Sequence, residues 1–569
     1  MEAEPEVTWI GLSLGSAYST ISVLNKDGRV EVIANADGER QIASCVTFTD
    51  FEQLAGTQAK QRGSVNPKNM AVRFLDLLGR KMDDDHVSYI TKSIQVPISP
   101  KTENANTPVF EITTEPKWDE PPVTVQYTAI DITTRYVTHL ISTAQEFLGK
   151  KIDGCVISCP VNMTPEGRLS LKLAAEKANA GKVMLVKEPA AAALAFYHYP
   201  TLLATGALPP PPSANKPDQN IVVVDFGAHH LSTTVMSSSK DLFSIIASNT
   251  TNVGGSHIDK LLASHFAIEF QRKTRMDVTE SRKSMIKLQS SVESAKRLLS
   301  KIETASCHVD SLHEGVDFTG SIHRGRLEMM IEEPLTMCLA SIKQTLDDAK
   351  MTAEQVDQVL LVGGSSRIPR FQAMIKSLFK SSDIRTDIES DEAISLGCAI
   401  QALIVANSNA INYIDLANDA TLYANVPHVT KSIGIEVAGS VFATIIPKRA
   451  PIPVRKSLEF GLNQDSNTNS KAKEQPQRDI YLAVYEGEEK IAKQNTLIAE
   501  IVVSDLGGGG DDVPDTGAPA TNGKDGKKEE PLRVEVIFTI EKDLVLRVSV
   551  LELNGPRKGH VTKHRMAVK

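Results

Sequence analysis

The sequence predicts an α/β domain followed by an all-β domain. Its 569 residues exceed the usual size of one domain, so at least two hydrophobic cores are expected. Residues 1–407 alternate strand-like and helix-like segments, which is typical of α/β folds. Residues 429–569 contain short strands separated by turn signals and lack long helical patterns, which indicates an all-β domain.

Short apolar runs mark the strands of the first domain. The runs "WIGLSLG" and "STISVLN" predict a hairpin that turns at Gly15-Ser16. Three further runs have the length and composition of buried strands, namely "GCVISCP" (154–160), "KVMLV" (182–186) and "QVLLVGG" (358–364).

Helical patterns lie between these strands. From Met285 to Ile302, apolar residues recur three or four positions apart, which places them on one face of a helix. A second helix is predicted to begin at Thr164-Pro165, because proline is favoured at the first helical position. This alternation of strands and helices supports the α/β prediction.

The remaining segments define the linker and the insertions. In the second domain, strands are predicted in "SIGIEVAGSVFATIIPKRAPIPV", "RDIYLAVYEG", "TLIAEIVV", "RVEVIFTI" and "LVLRVSVLEL". Residues 408–428 are the predicted interdomain linker. Residues 208–219 and 506–530 are rich in Pro, Gly and charge, so both are expected to be flexible insertions without a core.

Composition limits the function classes. The chain has 62 Lys and Arg against 70 Asp and Glu, and its net charge of −8 argues against direct nucleic-acid binding. No apolar run is long enough to span a membrane, and the acidic N-terminus has no signal core. The six cysteines form no C-x-x-C motif, so reduced thiols and a cytoplasmic location are expected.

Five motifs follow one another along the chain: "IGLSLGSAYSTISV", "KEPAAAALAF", "LLVGGSSRIPRFQ", "ESDEAISLGCAIQA" and "SIGIEVAG…IIPKRAPIPVRKS". In this order they resemble the seventy-kilodalton heat-shock chaperones (the heat shock protein 70 family), from about Trp9 to Lys569. The resemblance implies a two-lobed, actin-like ATPase-type domain and a β-sandwich domain that binds peptides. The helical lid that follows this sandwich in the family is not expected, because the sequence ends at Lys569.

The resemblance also implies a nucleotide site with ATP as the cofactor, and it leaves open whether Mg²⁺ accompanies ATP. Its binding residues would be Gly15, Ser16, Ala17, Asp225, Gly227, Gly254, Gly255, Glu293, Lys296, Arg297, Ser300, Gly363, Gly364, Ser365, Arg367, Ile368 and Asp391. Taken alone, Glu293 and Arg297 also fit an ordinary i,i+4 surface pair. Glu188 is expected either to contact a metal-bound water or to be structural.

The phosphate side of this site departs from the family pattern. The first loop, D-x-G-T-T in the family, has Ser13 in place of its Asp. The second loop, D-x-G-G-G-T-x-D, keeps Asp225 but has "AHHLS" where two Gly, the Thr and the second Asp are expected. The essential Lys aligns with Leu75. Since these groups stabilise the transferred phosphoryl group, we expect ATP binding without turnover and assign no catalytic residue.

The two histidines of the second loop have three interpretations. Adjacent residues of an extended segment point to opposite faces, so His229 and His230 are not expected to chelate one metal together. Packed or solvated turn side chains are the favoured interpretation, and no metal ligand is assigned. Alternatively, His229 fills space that a phosphate would otherwise approach.

A lidless member that binds ATP without hydrolysis resembles the atypical subunit of the fungal ribosome-associated complex. The resemblance implies a stable heterodimer with a J-domain protein of the zuotin type, attachment to the ribosome through that partner, and stimulation of a ribosome-bound heat-shock chaperone. The family's interdomain linker has consecutive leucines, whereas "DLANDATLYANV" (415–426) has only isolated ones among Asn, Asp and Ala. This difference implies weak coupling between the domains. The alternatives are an ATP-hydrolysing chaperone that binds clients directly and a nucleotide-exchange factor.

Overall fold

The computed structural model describes residues 8–24, 29–63, 65–114, 121–205, 219–239, 242–407, 429, 431–448, 450, 452, 454–462, 478–506, 532–540, 545–553 and 561–567. The chain divides into two compact units, Met1–Ala420 and Thr421–Lys569. The predicted linker 408–428 lies outside the described residues, as do 208–218 and 507–530 of the predicted insertions. Gln219 and Leu506 instead belong to strands, because Gln219 pairs with Ser238 and Leu506 pairs with Arg478 in the neighbouring strands.

The first lobe of the first unit contains twelve strands and five helices among its described residues. The strands are β1 (Trp9–Leu14), β2 (Tyr18–Leu24), β3 (Val30–Ile33), β4 (Ile42–Ala43), β5 (Cys45–Phe48), β6 (Gln53–Ala55), β7 (Met70–Val72), β8 (Ile98–Lys101), β9 (Asn104–Thr114), β10 (Val123–Thr128), β11 (Gly154–Cys159) and β12 (Lys182–Lys187). The helices are α1 (Thr57–Gly63), α2 (Asp85–Ser93), α3 (Ala129–Leu148), α4 (Pro165–Lys177) and α5 (Glu188–Thr205).

The second lobe repeats this mixture of elements. Its strands are β13 (Gln219–Phe226), β14 (Leu231–Ser239), β15 (Leu242–Thr251), β16 (Thr304–His313), β17 (Val316–His323), β18 (Gln358–Val362) and β19 (Asp383–Arg385). Its helices are α6 (Gly255–Thr274), α7 (Arg282–Leu299), α8 (Arg324–Met330), α9 (Glu332–Asp348), α10 (Pro369–Leu378) and α11 (Ala393–Asn407). Short 3-10 helices occur in both lobes and in the second unit. They occupy Pro67–Asn69 and Phe74–Leu77 in the first lobe, Val278–Glu280, Ala353–Gln355 and Gly364–Arg367 in the second lobe, and Ala492–Gln494 in the second unit.

The main sheets of the two lobes share one plan. In the first, the order is β12-β11-β1-β2-β3, with β1 parallel to β11 and antiparallel to β2. In the second, the order is β15-β14-β13-β18-β19, with β13 parallel to β18 and antiparallel to β14. Each sheet therefore carries a hairpin turn beside the carboxyl end of a parallel strand, which is where α/β folds bind ligands.

Helices α5 and α11 pack between the two sheets. Their alanines share a core with Val156 of the first sheet and Leu360 of the second. A Cβ on Gly397 would lie 1.8 Å from the carbonyl oxygen of Ala191, so only glycine permits this approach. A second core lies between the second sheet and α6, α7 and α9. These contacts fix the positions of the two hairpin turns.

Local sequence signals account for the predicted boundaries. Thr164 caps α4 by accepting a hydrogen bond from the N–H of Gly167, and Pro165 occupies the first helical position as predicted. Helix α7 presents Leu288, Val292 and Leu299 to the core, as the periodicity predicts. The prediction was wrong for Ile302, which lies beyond the end of the helix at Leu299 and is exposed. The predicted strands at 154–160, 182–186 and 358–364 are present with shifts of one or two residues at their ends.

The second unit forms two four-stranded antiparallel sheets. Its strands are β20 (Ile433–Val437), β21 (Val441–Ile446), β22 (Val454–Leu462), β23 (Arg478–Glu486), β24 (Thr496–Leu506), β25 (Leu532–Ile540), β26 (Val545–Glu552) and β27 (Val561–Ala567). The sheet orders are β21-β20-β23-β24 and β22-β25-β26-β27, and one core contains residues of both. The sequence did not predict β27, because its polar residues give no apolar alternation. In the described part of the chain, no helix has the length and apolar character to cross a membrane.

Candidate functional site

The first hairpin turn, at Gly15–Ala17, is held close to the backbone that surrounds it. A Cβ on Gly15 would lie 2.3 Å from the carbonyl oxygen of Tyr18, so this turn requires glycine. The hydroxyl of Ser44 donates to the carbonyl oxygen of Gly15 at 2.6 Å, and the N–H of Ser44 donates to that of Ala17 at 2.8 Å. Ser16 is partly buried in this turn. The predicted loop is therefore formed and tied to the start of β5.

The second hairpin turn, between β13 and β14, rests on helix α6. The N–H of Gly255 donates to Gly227 O at 3.0 Å, and the N–H of Ser256 donates to Ala228 O at 2.8 Å. The Ser365 hydroxyl also donates to Gly227 O, at 2.8 Å. These bonds bring Gly227, Gly255 and Ser365, three predicted site residues distant in sequence, into one cluster.

Glu293 on α7 lies at the centre of a charged network. It accepts hydrogen bonds from the hydroxyl of Tyr18 at 2.6 Å and from Lys60 Nζ at 2.7 Å, and it pairs with Arg297 at 3.0 Å. Burial alone would raise the pKa of Glu293, but Lys60 and these hydrogen bonds lower it to about 2. Glu293 and Arg297 thus form the i,i+4 pair. Tyr18 and Lys60 of the first lobe both hydrogen-bond to Glu293.

A polar chain joins Arg297 to Arg367. Arg297 Nη1 donates to the side-chain oxygen of Gln41 at 3.1 Å, and Gln41 in turn donates to the carboxylate of Asp391. Arg367 pairs with the other oxygen of that carboxylate and with Glu389 at 2.7 Å. The Arg297 guanidinium also lies 4.7 Å from the centre of the Tyr18 ring, within the range of a cation–π contact. The predicted nucleoside residues are therefore neighbours.

Lys296 points from α7 toward the start of α6. Its ammonium group lies 2.8 Å from Asp259 Oδ2 and 3.2 Å from Gly255 O. Gly254 precedes α6, and a Cβ there would meet the carbonyl oxygen of Ala228 at 2.4 Å. Gly254 thus lets the second hairpin turn lie directly on the helix. Ser300 caps the end of α7, and Ile368 is buried between the 3-10 helix and α10.

The phosphate side holds an apolar residue at the position aligned with the family's Lys. Leu75 is buried beside Phe74 and Leu77 in the 3-10 helix after β7. Arg73, two residues earlier, donates from Nε to Asp76 Oδ2 at 2.8 Å and from Nη1 to Ser93 at 3.0 Å. The cation at this position is therefore bound to a carboxylate of its own segment.

Two partly buried carboxyl groups lie together between the sheets. Glu188 begins α5 and Asp225 stands near the end of β13, and both line a cavity of about 10 Å³, the size of one water molecule. Burial, with Asp225 close by, raises the pKa of Glu188 well above its usual range. Burial also raises the pKa of Asp225, to about 6. The pair is suited to sharing a proton.

The two histidines of the second turn face different partners. His229 Nδ1 lies 2.9 Å from the hydroxyl of Ser256, and burial lowers the pKa of His229 to about 3. The His230 ring lies 6.1 Å from that of His86 on α2. One potential ligand atom each from Asp76, His86 and His230 lies within 4.8 Å of the others. No sign in the sequence indicates that Asp76 and His86 approach His230, because both lie far from it along the chain.

Sequence reasoning also missed several residues of the nucleoside side. Gln41, Lys60 and Asp259 contact the predicted residues but belong to no motif. Tyr18 lies within the first motif but was not predicted as a site residue. Lys60 sits on a short helix whose polar residues resemble an ordinary surface, and Gln41 follows a loop. No local signal distinguishes these side chains, since their partners lie far away in the chain.

The nucleoside and phosphate sides differ in their fit to a nucleoside triphosphate. A Cβ added to Gly364 would meet nothing within 4 Å, so the backbone there is open to a ligand. The guanidinium groups of Arg297 and Arg367, beside the carboxylates of Glu293 and Asp391, offer stacking and hydrogen-bonding groups suited to a base and a ribose. The nucleoside side fits ATP, while the phosphate side supplies Leu75 where a cation would aid hydrolysis.

Comparison with known proteins gives consistent matches over nearly the whole chain. The family model described as "Hsp70 protein" matches residues 9–558. Heat shock cognate 70 kDa protein 3 of Dictyostelium discoideum is 28% identical over 99% of this chain and 82% of its own length. Heat shock 70 kDa protein 2 of Paracoccidioides lutzii is 29% identical over 95% of this chain and 74% of its own.

A third relative is a ribosome-associated molecular chaperone of Eremothecium gossypii, which is 29% identical over 97% of this chain and 81% of its own length. Together with the two lobes and the two packed β sheets, these matches confirm the predicted fold class, an α/β actin-like ATPase-type domain followed by a β sandwich.

Proposed function

The chain belongs to the Hsp70 family, and we propose that it is an ATP-binding member that does not turn its nucleotide over. Leu75 carries this proposal, because a buried leucine stands where the resemblance expects a lysine. Leucine can neither stabilise charge on the transferred phosphoryl group nor orient the attacking water. Affinity can still come from the nucleoside side, since tight binding does not require transition-state contacts.

The surroundings of Leu75 support the same proposal. Arg73 cannot replace the lysine without leaving Asp76 and Ser93. Ser13 and His230 replace a carboxylate and a hydroxyl of the family's loops. Losing a thousandfold in rate corresponds to about 4 kcal/mol of transition-state stabilisation, which the loss of one cationic group in a dry site can account for.

Binding and turnover can be measured separately. We expect ATP to bind with one molecule per chain in isothermal titration, and to remain intact during a single-turnover incubation with excess protein. An active family member prepared in parallel controls for the assay. Hydrolysis at the control's rate would contradict the proposal and favour an active chaperone, whereas no ATP binding would contradict the cofactor assignment.

We further propose that the protein is a chaperone-like subunit of a cytoplasmic ribosome-associated complex. In this role it forms a stable heterodimer with a J-domain protein of the zuotin type and reaches the ribosome through it. It then helps that partner to stimulate a ribosome-bound heat-shock chaperone during co-translational folding. The relative named a ribosome-associated molecular chaperone supports the ribosomal part of this proposal.

The β sandwich offers a surface for the partner. Tyr481 and Val502 are cross-strand neighbours on β23 and β24, and their side chains are 58% and 54% exposed. Exposed apolar side chains on a sheet suit an extended apolar segment. We propose that this surface holds a segment of the J-domain partner.

Native affinity purification tests the partner assignment. We expect a stoichiometric J-domain protein together with ribosomes, and retention of the J-domain protein when the ribosomes are removed by high salt. Purification as a monomer would contradict the proposal. If the protein instead accelerates nucleotide release from an active heat-shock chaperone, it is an exchange factor.

A further inference from the structure

Three side chains converge beside the second hairpin turn from separate parts of the first unit. Asp76 lies in the 3-10 helix after β7, His86 in the first turn of α2, and His230 in the turn between β13 and β14. One ligand atom from each lies within 4.8 Å of the others, and all three residues are partly buried. The proposed function assigns no ligand to these three side chains, although it includes Asp76 as the partner of Arg73 and His230 as the replacement of a hydroxyl.

The donor set has a definite metal preference. Two imidazole nitrogens and one carboxylate oxygen are typical ligands of Zn²⁺ and of other divalent first-row transition metals. Mg²⁺ and Ca²⁺ prefer oxygen ligands only. Three protein ligands leave at least one coordination position for water or another small ligand.

The surroundings prepare these groups for a metal. The neutral imidazole ring is the form that binds a metal, and the rings of His86 and His230 both lie in a partly buried setting. Asp84 accepts a hydrogen bond from the backbone N–H of His86 at 2.8 Å, which fixes the start of α2.

Two guanidinium groups lie close to the cluster, and each is neutralised by a carboxylate. Arg80 pairs with Asp84 at 2.9 Å. Both Arg73 contacts to Asp76 are made to Oδ2, so Oδ1 is available to a metal. Carboxylates that ligate a metal are themselves hydrogen-bonded by outer-shell groups, and Arg73 is such a group for Asp76.

We propose that Asp76, His86 and His230 form a binding site for one divalent transition-metal ion of the Zn²⁺ type. The ion would connect α2 with the second hairpin turn and so link the two lobes of the first unit. His229 is not assigned as a ligand, because it is not among the residues whose ligand atoms lie within 4.8 Å of one another. The site requires neither ATP nor a partner protein, so it is independent of the proposed function.

Co²⁺ is a suitable probe, because its visible absorption reports on its ligands. Untagged full-length protein is freed of metal with a chelator and titrated with CoCl₂ without nucleotide, and the bound Co²⁺ is then displaced with ZnCl₂. We expect one Co²⁺ per chain with an absorption typical of mixed nitrogen and oxygen ligands. We also expect Zn²⁺ to displace Co²⁺, and a hundredfold excess of MgCl₂ to leave it bound.

Matched variants distinguish this site from weak surface binding. H86Q and H230Q should each weaken Co²⁺ binding by more than about 100-fold, since losing a direct ligand exceeds the effect of losing an outer-shell partner. H229Q, altered one position along the chain, should bind Co²⁺ like the parent. Circular dichroism checks that each variant is folded, and Zn²⁺ should raise the melting temperature of the parent and of H229Q only.

Several results would overturn the proposal. They are the absence of stoichiometric Co²⁺ binding, equal binding by H86Q and H229Q, and displacement of Co²⁺ by Mg²⁺. If H86Q and H230Q fail to fold, D76N is tested in their place, and unchanged Co²⁺ binding by folded D76N would also overturn it.

Discussion

Lys60 Nζ lies 2.7 Å from Glu293 Oε2, although 233 residues separate them in sequence. Lys60 belongs to α1 of the first lobe and Glu293 to α7 of the second, so this pair joins the two lobes at the nucleoside side of the site. A bond between the lobes at this position holds α1 next to α7 beside the site.

The Lys60–Glu293 pair should contribute measurably to stability. A double-mutant cycle of Lys60→Met and Glu293→Gln should give a coupling free energy of unfolding of about 0.5–1 kcal/mol, because the pair is only partly buried. The more exposed pair of Arg370 with Glu332 is the control, and its coupling should be smaller. Equal coupling in both pairs would contradict the role assigned to Lys60.

Glu293 should also make stability depend on pH in acid. Its folded pKa of about 2 lies below the ordinary 4.5, so its contribution is complete above pH 4.5 and is lost as the pH falls toward 2. Urea unfolding at several pH values should show this loss in the parent. Glu293→Gln cannot titrate, and its loss of stability across the same range should be shallower.

Arg367 should be needed for nucleotide affinity. Arg367→Ala should weaken ATP binding by about 10- to 100-fold, the effect of removing a hydrogen-bonded charged group. Arg370→Ala is the matched control, because Arg370 is exposed and pairs with Glu332 on the surface. Titration calorimetry of both variants tests this, and an equal loss in both would remove Arg367 from the site.

Substitution by alanine should change the free energy of unfolding at one glycine of the site and not at another. In Gly254→Ala, the new Cβ would lie 2.4 Å from Ala228 O and 2.6 Å from His229 N, and backbone atoms cannot yield easily. We expect a loss of about 1–3 kcal/mol in the free energy of unfolding. Gly364→Ala has free space and should leave stability unchanged while weakening ATP binding. A stable Gly254→Ala protein would contradict the packing of the second turn on α6.

Deprotonation of Asp225 should lower the free energy of unfolding as the pH rises. Its pKa is raised from 3.8 to about 6 by burial, so between these values the folded protein holds a proton that the unfolded chain releases. Asp225→Asn should therefore raise the free energy of unfolding above pH 7 by about 1–3 kcal/mol and change little below pH 4. Nucleotide-free unfolding curves between pH 4 and pH 8 test this.

Asp277 provides a control of opposite sign. Hydrogen bonds from the hydroxyl and the N–H of Thr279 lower the pKa of this exposed residue, so Asp277→Asn should reduce stability at neutral pH. A stability difference for Asp225→Asn that does not vary with pH would contradict the buried-carboxyl account.

The cysteines should be unreactive in the folded protein. All six are buried and free, and burial raises the pKa of Cys45, Cys155, Cys159 and Cys338 to about 12. Since the thiolate is the reactive form, Ellman's reagent should react slowly without denaturant and detect six thiols in urea. Fast native reaction of more than one thiol would show that the core opens.

The amino-acid sequence alone predicted the order of the two domains and the strands and helices with the strongest local signals. Apolar runs predicted β1, β11, β12 and β18, because a buried strand needs a continuous apolar segment. Thr164 and Pro165 set the start of α4 through local capping. The family resemblance predicted Glu293, Arg297, Arg367 and Asp391 as site residues, and this assignment and ATP binding both stay predictions. The strand β27 was missed, because a polar edge strand has no apolar pattern.

The tertiary structure decided which side chains meet. Gln41 joins Arg297 to Asp391, and His86 approaches His230 and Asp76, yet no short-range signal indicates either arrangement. Such contacts depend on how two lobes pack and on the direction in which each side chain points. Sequence patterns report local backbone preference and burial, whereas contacts across hundreds of residues exist only after the chain has folded.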